Sequence, residues 1–339
     1  MPGVSEFDLE TLFVGLSGTK KCALAVSGGP DSLALMLLAE RWARSRGTPE
    51  LVVYTVDHGL RAEAREEAAM VLREAARLGL PARVLVWQGD KPETGIQAAA
   101  RKARYAMMAA AMADDGAELL LTAHHLRDQA ETVLMRLAHG SGIDGLRGMD
   151  RLAYVEGCEV YRPLLAVDPA ALLAVVEEAG LAPAHDPSNS DRHYERVRWR
   201  ELLPQLEAMG VEPRRLGKFA ERMAAASALV AAAVDEHWPQ TVIPLEANHF
   251  AMPRGRFAMF NPLVGSAMLA RVLQLCSGDR RPPPLGAVES LAGKLAFNDD
   301  LKPTTLHGCV IEADAETIRI RKERPRRALQ SAESAVTAD

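Results

Sequence analysis

Residues 24–35, LAVSGGPDSLAL, interrupt two apolar runs with Ser27, Gly28, Gly29, Pro30, Asp31 and Ser32. Glycines let a backbone approach a ligand closely, and serine hydroxyls add donors. A helix starting here would aim its first N–H groups and its positive dipole end at the loop, which suits an anion. A plain strand-to-helix turn with Asp31 or Ser32 as N-cap would use the same residue types. Neither G-x-x-x-x-G-K-[ST] nor G-x-G-x-x-G is present. Asp31 is the informative member. A carboxylate beside a phosphate is repulsive unless a cation lies between them, so Asp31 predicts Mg²⁺.

Residues 122–149, TAHHLRDQAETVLMRLAHGSGIDGLRGM, form a second group. His124, Asp128 and Glu131 are spaced i, i+4, i+7. If a helix begins near His124, they share one face at its N-terminal end. There they could hold Mg²⁺ or move protons, although acids also favour a first turn for the dipole alone. The order is not that of a zinc H-E-x-x-H site. The glycine-rich segment 140–149, with Arg147, reads as a mobile loop near phosphate or RNA.

These residues need a scaffold, and the surrounding pattern supplies one. Strand-like segments at 21–27, 50–57, 82–87 and 117–124 alternate with helical ones at 31–47, 61–79, 96–116 and 126–140. This alternation predicts an α/β fold with a parallel sheet covered on both faces. Ligands of such sheets bind at the carboxyl ends of the strands. Ser27–Ser32, Asp57 with His58, and His124 with His125 all fall there. After about residue 163 the pattern turns helical, with a polar loop leading into an Arg-rich helix over 184–204 and a long Ala-rich helix at 216–237. A hairpin is expected at 306–322 and a disordered tail at the end.

The 339 residues are 48% hydrophobic and carry a formal net charge of -5, which suits an ordinary globular chain that is not basic overall. The four cysteines (Cys22, Cys158, Cys276, Cys309) lie far apart without a C-x-x-C pair, so a reducing cytosol is expected. No basic n-region precedes an apolar core at the N-terminus, and no apolar run reaches the roughly 18 residues of a membrane helix. The expected location is cytoplasmic, without membrane contact.

SGGPDS after a first strand resembles the pyrophosphate loop of the N-type ATP pyrophosphatases, or PP-loop enzymes. With it, in order, come VDHGLR (56–61), AARKARY (99–105), AHHLRDQAET (123–132), GSGIDGLRGM (140–149), RPLL (162–165) and DPSNSD (186–191). Together these motifs are similar to those of the tRNA(Ile)-lysidine synthetase family, across roughly residues 20–205. The resemblance implies a doubly wound, mostly parallel five-stranded sheet of the adenine nucleotide alpha hydrolase type, with a smaller, mainly helical C-terminal domain. It divides the chain into a catalytic domain at 1–212, a tRNA-binding domain at 213–325 and a tail at 326–339. It implies ATP as co-substrate, Mg²⁺, L-lysine, and a tRNA(Ile) with a CAU anticodon, and it leaves a homodimer open.

The resemblance also implies site roles. Ser27, Gly28, Gly29, Pro30 and Ser32 would hold the ATP phosphates, with Asp57, His58 and Arg101 also at the nucleotide. Asp31 and Asp128 would hold Mg²⁺. His124, Asp128, Glu131 and Arg196 would form the catalytic cluster. The family's Arg-Asn followed by a second Arg reads here as Arg196, Val197 and Arg200. Local charge fits an RNA partner: residues 254–327 carry 13 basic against 8 acidic side chains, and 192–222 carry 8 against 5. Trp199, Phe257 and Phe260 are the aromatic stacking candidates, although core positions would equally suit them. The alternatives are another PP-loop enzyme, such as a tRNA thiolase or small-molecule synthetase, and a non-catalytic nucleotide- or RNA-binding module. The lack of paired cysteines argues against thiolation, and the retained acids and histidine argue against mere binding.

Overall fold

A computed structural model of the chain describes residues 7–59, 63–88, 94–184, 195–279, 281–298 and 301–323. The chain forms two compact units, Met1–Met223 and Ala224–Asp339.

In the first unit the elements run α1 (Leu9–Leu12), β1 (Lys21–Ala25), α2 (Pro30–Arg46), β2 (Glu50–Asp57), α3 (Glu63–Arg77), β3 (Ala82–Val86), α4 (Ile96–Asp115), β4 (Leu119–Leu121), α5 (Leu126–Ala138), α6 (Ile143–Leu146), β5 (Leu152–Val155), β6 (Cys158–Tyr161), α7 (Pro169–Glu178) and α8 (Glu195–Ala208). Helix α9 (Pro213–Thr241) follows, and the boundary between the units falls within it.

Period-two alternation explains why the inner strands read as continuous apolar runs. Cys22, Leu24, Leu51, Val53, Leu119 and Leu121 enter a core with Leu33, Leu35, Met36, Leu38, Leu172 and Val175 of α2 and α7. Their neighbours Ala23, Val52, Tyr54 and Leu120 enter the opposite core, with Tyr105, Met108 and Met112 of α4. Both faces are therefore covered.

The sheet order is β3-β2-β1-β4-β6-β5, six strands rather than the expected five. All neighbours are parallel except the last pair, in which β5 lies antiparallel to β6 at the edge. That hairpin closes through Glu156 and Gly157, both at positive φ (47° and 94°), a two-residue turn without the usual Asn-Gly signal.

The second unit continues with β7 (Ile243–Glu246), β8 (His249–Pro253), α10 (Arg254–Ala258), α11 (Pro262–Ser277), α12 (Leu285–Phe297), β9 (Thr304–Leu306), β10 (Cys309–Ala313) and β11 (Thr317–Lys322). The hairpin expected at 306–322 is β10–β11, but it belongs to a five-stranded antiparallel sheet in the order β7-β8-β11-β10-β9. Ile311, Ile318 and Ile320 pack against Leu269, Val272, Leu273, Val288 and Leu295 of α11 and α12. This unit is thus helical with a sheet beneath.

Candidate active site

The loop after β1 is organised by its own hydroxyls. Ser27 N–H donates to Ser32 Oγ at 3.1 Å, and Ser32 Oγ donates to Gly29 O at 3.0 Å. The N-cap of α2 is Gly29, and no side chain caps this helix. Asp31 and Ser32 are therefore inside the first turn, and the cap reading of the loop does not hold. A 17-residue helix left without a side-chain cap presents its first N–H groups to any anion placed there.

Gly28 needs its glycine. Its φ is +89°, and a Cβ would come within 3.1 Å of Met70 Cε. Gly28→Ala is expected to cost about 1–2 kcal/mol, seen as a lower midpoint in urea unfolding.

The second group assembles around the start of α5. His125, not His124, is the N-cap. Its Nδ1 accepts the Asp128 N–H at 3.3 Å, and its own N–H donates to Asp128 Oδ2 at 3.0 Å. This is a capping box built with an imidazole. The ring's Nε2 lies 3.6 Å from Asp31 Oδ2, so His125 links the two aspartates and brings the α2 loop to the α5 terminus. Burial alone would lower the proton affinity of His125. The pull of Asp31, Asp128 and Glu131 outweighs it and holds the pKa above the ordinary value. A second proton at Nδ1 would cost the capping bond, so the neutral ring carries its proton on Nε2, toward Asp31.

Glu131 is fully buried. Arg196 Nε donates to its Oε2 at 2.7 Å and Arg200 Nε to its Oε1 at 2.9 Å. Arg196 also reaches Asp128 Oδ1 at 2.8 Å. Burial would raise the Asp128 pKa, but His125 and Arg196 lower it below its usual value and keep the carboxylate ionised. The two arginines are one turn apart on α8, which packs Leu203 and Trp199 against Ala130 and Leu134 of α5. Val197, between the two arginines in sequence, is buried.

His124 stands before the helix, with Nδ1 2.9 Å from Thr122 Oγ1. Burial pushes its pKa well below the ordinary value, helped by Arg162, Arg196 and Arg101 and opposed by Asp128. It is neutral at pH 7. The unfolded chain takes up this proton near pH 6.5 while the folded chain refuses it, so acid costs stability. Relative to His124→Gln, the wild type should lose at most about 1.4 kcal/mol per pH unit below about 6.5, measured by denaturation at several pH values.

At the end of β2, Asp57 is buried and its Oδ1 accepts the Gly59 N–H at 2.7 Å. His58 Nε2 lies 3.3 Å from Arg104 Nη2, while Arg101 stacks over the Tyr105 ring at 5.0 Å. Arg104, within the AARKARY motif, thus reaches the residue after β2 although it was given no role in the sequence reading.

The segment 140–149 is not a free loop. Gln129 and Met149 exchange two hydrogen bonds, Gln129 Nε2 to Met149 O at 3.0 Å and Met149 N to Gln129 Oε1 at 2.7 Å. Arg136 binds the Gly145 and Gly148 carbonyls at 2.7 and 2.5 Å. Trp199, Phe257 and Phe260 all pack into cores. Arg254 is buried and donates to Leu295 O at 2.9 Å, so part of the basic excess is structural. The DPSNSD motif, Arg61 and the tail at 326–339 lie outside the described residues.

His125 was placed at the end of β4 by its sequence position but given no role; a histidine three residues before an aspartate at a helix start was the available signal for its capping contact.

A doubly wound sheet with an uncapped Ser-Gly-Gly-Pro-Asp-Ser helix start, with acids of α5 after β4 paired to arginines of α8, defines a PP-loop nucleotide site. The family described as PP-loop domain matches residues 4–206. The chain is 44% identical over 337 residues to the tRNA(Ile)-lysidine synthase of Rhodopseudomonas palustris, covering 96% of each chain. It is 46% identical over 300 residues to that of Bradyrhizobium diazoefficiens, covering 86% of this chain and 82% of the relative. The chain belongs to the tRNA(Ile)-lysidine synthase family of PP-loop proteins. In fold it is similar to the U34-tRNA thiolase NcsA from Methanococcus maripaludis, with TM-score 0.54 and 16% identity over 63% of this chain and 77% of that one.

Proposed function

We propose that the chain ligates free L-lysine to carbon-2 of the wobble cytidine of CAU-anticodon tRNA(Ile). The route is an adenylated tRNA, with release of pyrophosphate and then AMP. The observation that carries this reading is the uncapped α2 terminus joined through Asp31–His125–Asp128 to α5. It occurs in a chain related along 96% of its length to a tRNA(Ile)-lysidine synthase.

The C2 oxygen of cytosine leaves poorly as it stands, and transfer of AMP to it makes it a good leaving group. The first-turn amides of α2 and the Ser27 hydroxyl hold the phosphates that depart as pyrophosphate, while Ser32 Oγ, already bonded to Gly29 O and Ser27 N–H, keeps the loop in shape. Arg196 and Arg200 bring positive charge to the acidic rim, where charge develops in both steps.

Asp31 fits a divalent cation. It is an oxygen ligand, 35% exposed, beside the phosphate-facing helix start. Asp128 fits less well, because Arg196 and the His125 N–H occupy its oxygens; it joins only once Arg196 releases Oδ1. Among the described residues no cluster of three or more His, Cys, Asp or Glu could hold an ion, so phosphate oxygens complete the set. Bound there, Mg²⁺ neutralises charge on the phosphates.

The lysine ε-ammonium must lose a proton before it attacks. Glu131 has both oxygens filled by arginine donors, whereas His124 is neutral and able to accept. Phosphates entering beside His124 raise its proton affinity. A sulfur-transfer reading lacks support, because all four cysteines are buried and Cys22 has its thiol pushed up to about 12 by burial.

The test is pyrophosphate release with purified CAU-anticodon tRNA. Release is expected to require that tRNA and to precede lysine addition. Equal release without tRNA would sink the reading.

A further inference from the structure

Arg162 follows the last residue of β6 and is 4% exposed. Its backbone N–H donates to Arg151 O and its Nη1 to Asp150 O, both at 2.7 Å. Its Nε is buried and has no hydrogen-bond partner among the described residues. The Asp150 carboxylate is engaged by Arg147 at 2.7 Å, so Arg162 receives only the Asp150 carbonyl. An unmet donor on a buried charged group is costly, and it persists where a ligand supplies the acceptor.

Strand register places this donor at the reacting end of the sheet. Leu121 pairs with Tyr161, and Thr122 N–H donates to Tyr161 O at 3.0 Å. Thr122 in turn holds His124. Both Arg162 and Arg101 lie close enough to His124 to depress its proton affinity. The register thus sets Arg162 at the carboxyl end of the strand beside the one that carries His124, and among the described residues no carboxylate forms an ion pair with Arg162.

The geometry points to Arg162 as the residue that takes the α-carboxylate of the amino-acid substrate, with Arg101 as a neighbouring charge. This inference rests on the lysine-ligase reading. Three anions enter that reaction. The triphosphate has the α2 terminus at the end of β1, two strands and roughly 10 Å away. A tRNA phosphate arrives on a bulky polymer and meets exposed side chains, whereas Arg162 is enclosed. A free amino acid is small enough to be enclosed, and its planar carboxylate matches guanidinium donors.

The test compares lysine with lysinamide, whose carboxylate is replaced by a neutral amide, in the full chain with ATP and CAU-anticodon tRNA. The variant is Arg162→Gln, which retains an N–H donor for the Asp150 carbonyl. The wild type is expected to prefer lysine by roughly 10- to 100-fold in kcat/KM, and the variant to lose that preference. Its KM for lysine should rise by the same factor, with tRNA-dependent pyrophosphate release and the KM for tRNA unchanged within about twofold. A variant that keeps the preference overturns the inference. So does a loss that falls on the KM for tRNA, which would make the ligand a phosphate. If Arg162→Gln does not fold, the same ratio in Arg162→Lys decides, because a point charge without the planar fork should also erode the preference. A wild type that incorporates no lysine overturns the ligase reading and this inference together. Lysine incorporation with an unchanged preference in the variant overturns this inference alone.

Discussion

Asp31→Asn is expected to lower tRNA-dependent pyrophosphate release by about 10²–10³-fold, the usual effect of removing one preorganised charge stabiliser. RNA affinity in a salt titration should stay within about twofold, because the proposed function gives Asp31 to the ATP phosphates and not to the RNA. The substitution separates chemistry from stability. Gly29 is the N-cap and no side chain caps α2, so asparagine breaks no cap. The cost should be about 0.3–1 kcal/mol, from the lost charge in the first turn. A second readout follows from the 3.6 Å separation between Asp31 Oδ2 and His125 Nε2. Neutralising Asp31 removes one of the charges that raise the His125 pKa, so that pKa should fall, as seen by NMR titration. A variant that releases pyrophosphate normally but loses RNA affinity would contradict the role given to Asp31.

Glu131→Ala should be the most damaging change to the cluster itself. Glu131 is fully buried and accepts from both Arg196 and Arg200. Its removal leaves two guanidiniums side by side on α8, with Asp128 as the one carboxylate of α5 left for them to share. A fully buried pair broken on one side costs about 3–5 kcal/mol. The arginines are 37% and 40% exposed and partly solvated, so about 2–3 kcal/mol is expected here. The thermal midpoint should drop by roughly 5–10 °C, and activity should fall further as Arg196 loses its second anchor. Glu131→Gln keeps one acceptor and should lie between. A midpoint within about 1 °C of wild type in Glu131→Ala would show that the cluster does not hold α8 to α5.

The phosphate loop was legible because its chemistry is local. Two glycines, two serines and a proline constrain one short turn, and Asp31 stands out within it. The parallel strands were legible because Val, Leu and Ala runs buried on both faces leave a strong pattern. His125 was not, because it looks identical to His124 in sequence. What separates them is one residue of helix start: the cap position carries the contact to Asp31, and the residue before it turns toward Thr122. The pairing of Glu131 with Arg196 and Arg200 spans more than sixty residues and depends on how α8 lies on α5. Arg162 was visible only as part of RPLL; its burial and its unmet Nε are tertiary facts. The β5–β6 hairpin is short, partly exposed on β5 and turned by Glu-Gly. In the second unit, β7 and β9 are four and three residues long, too short for alternation to register.

The most direct test is nucleoside-resolved mass spectrometry of CAU-anticodon tRNA(Ile) after incubation with the chain, ATP, Mg²⁺ and isotopically labelled lysine. The account predicts label on the wobble cytidine alone, dependent on ATP and absent with Asp31→Asn. Label at another nucleotide, or ATP cleavage that leaves that cytidine unmodified, would contradict it.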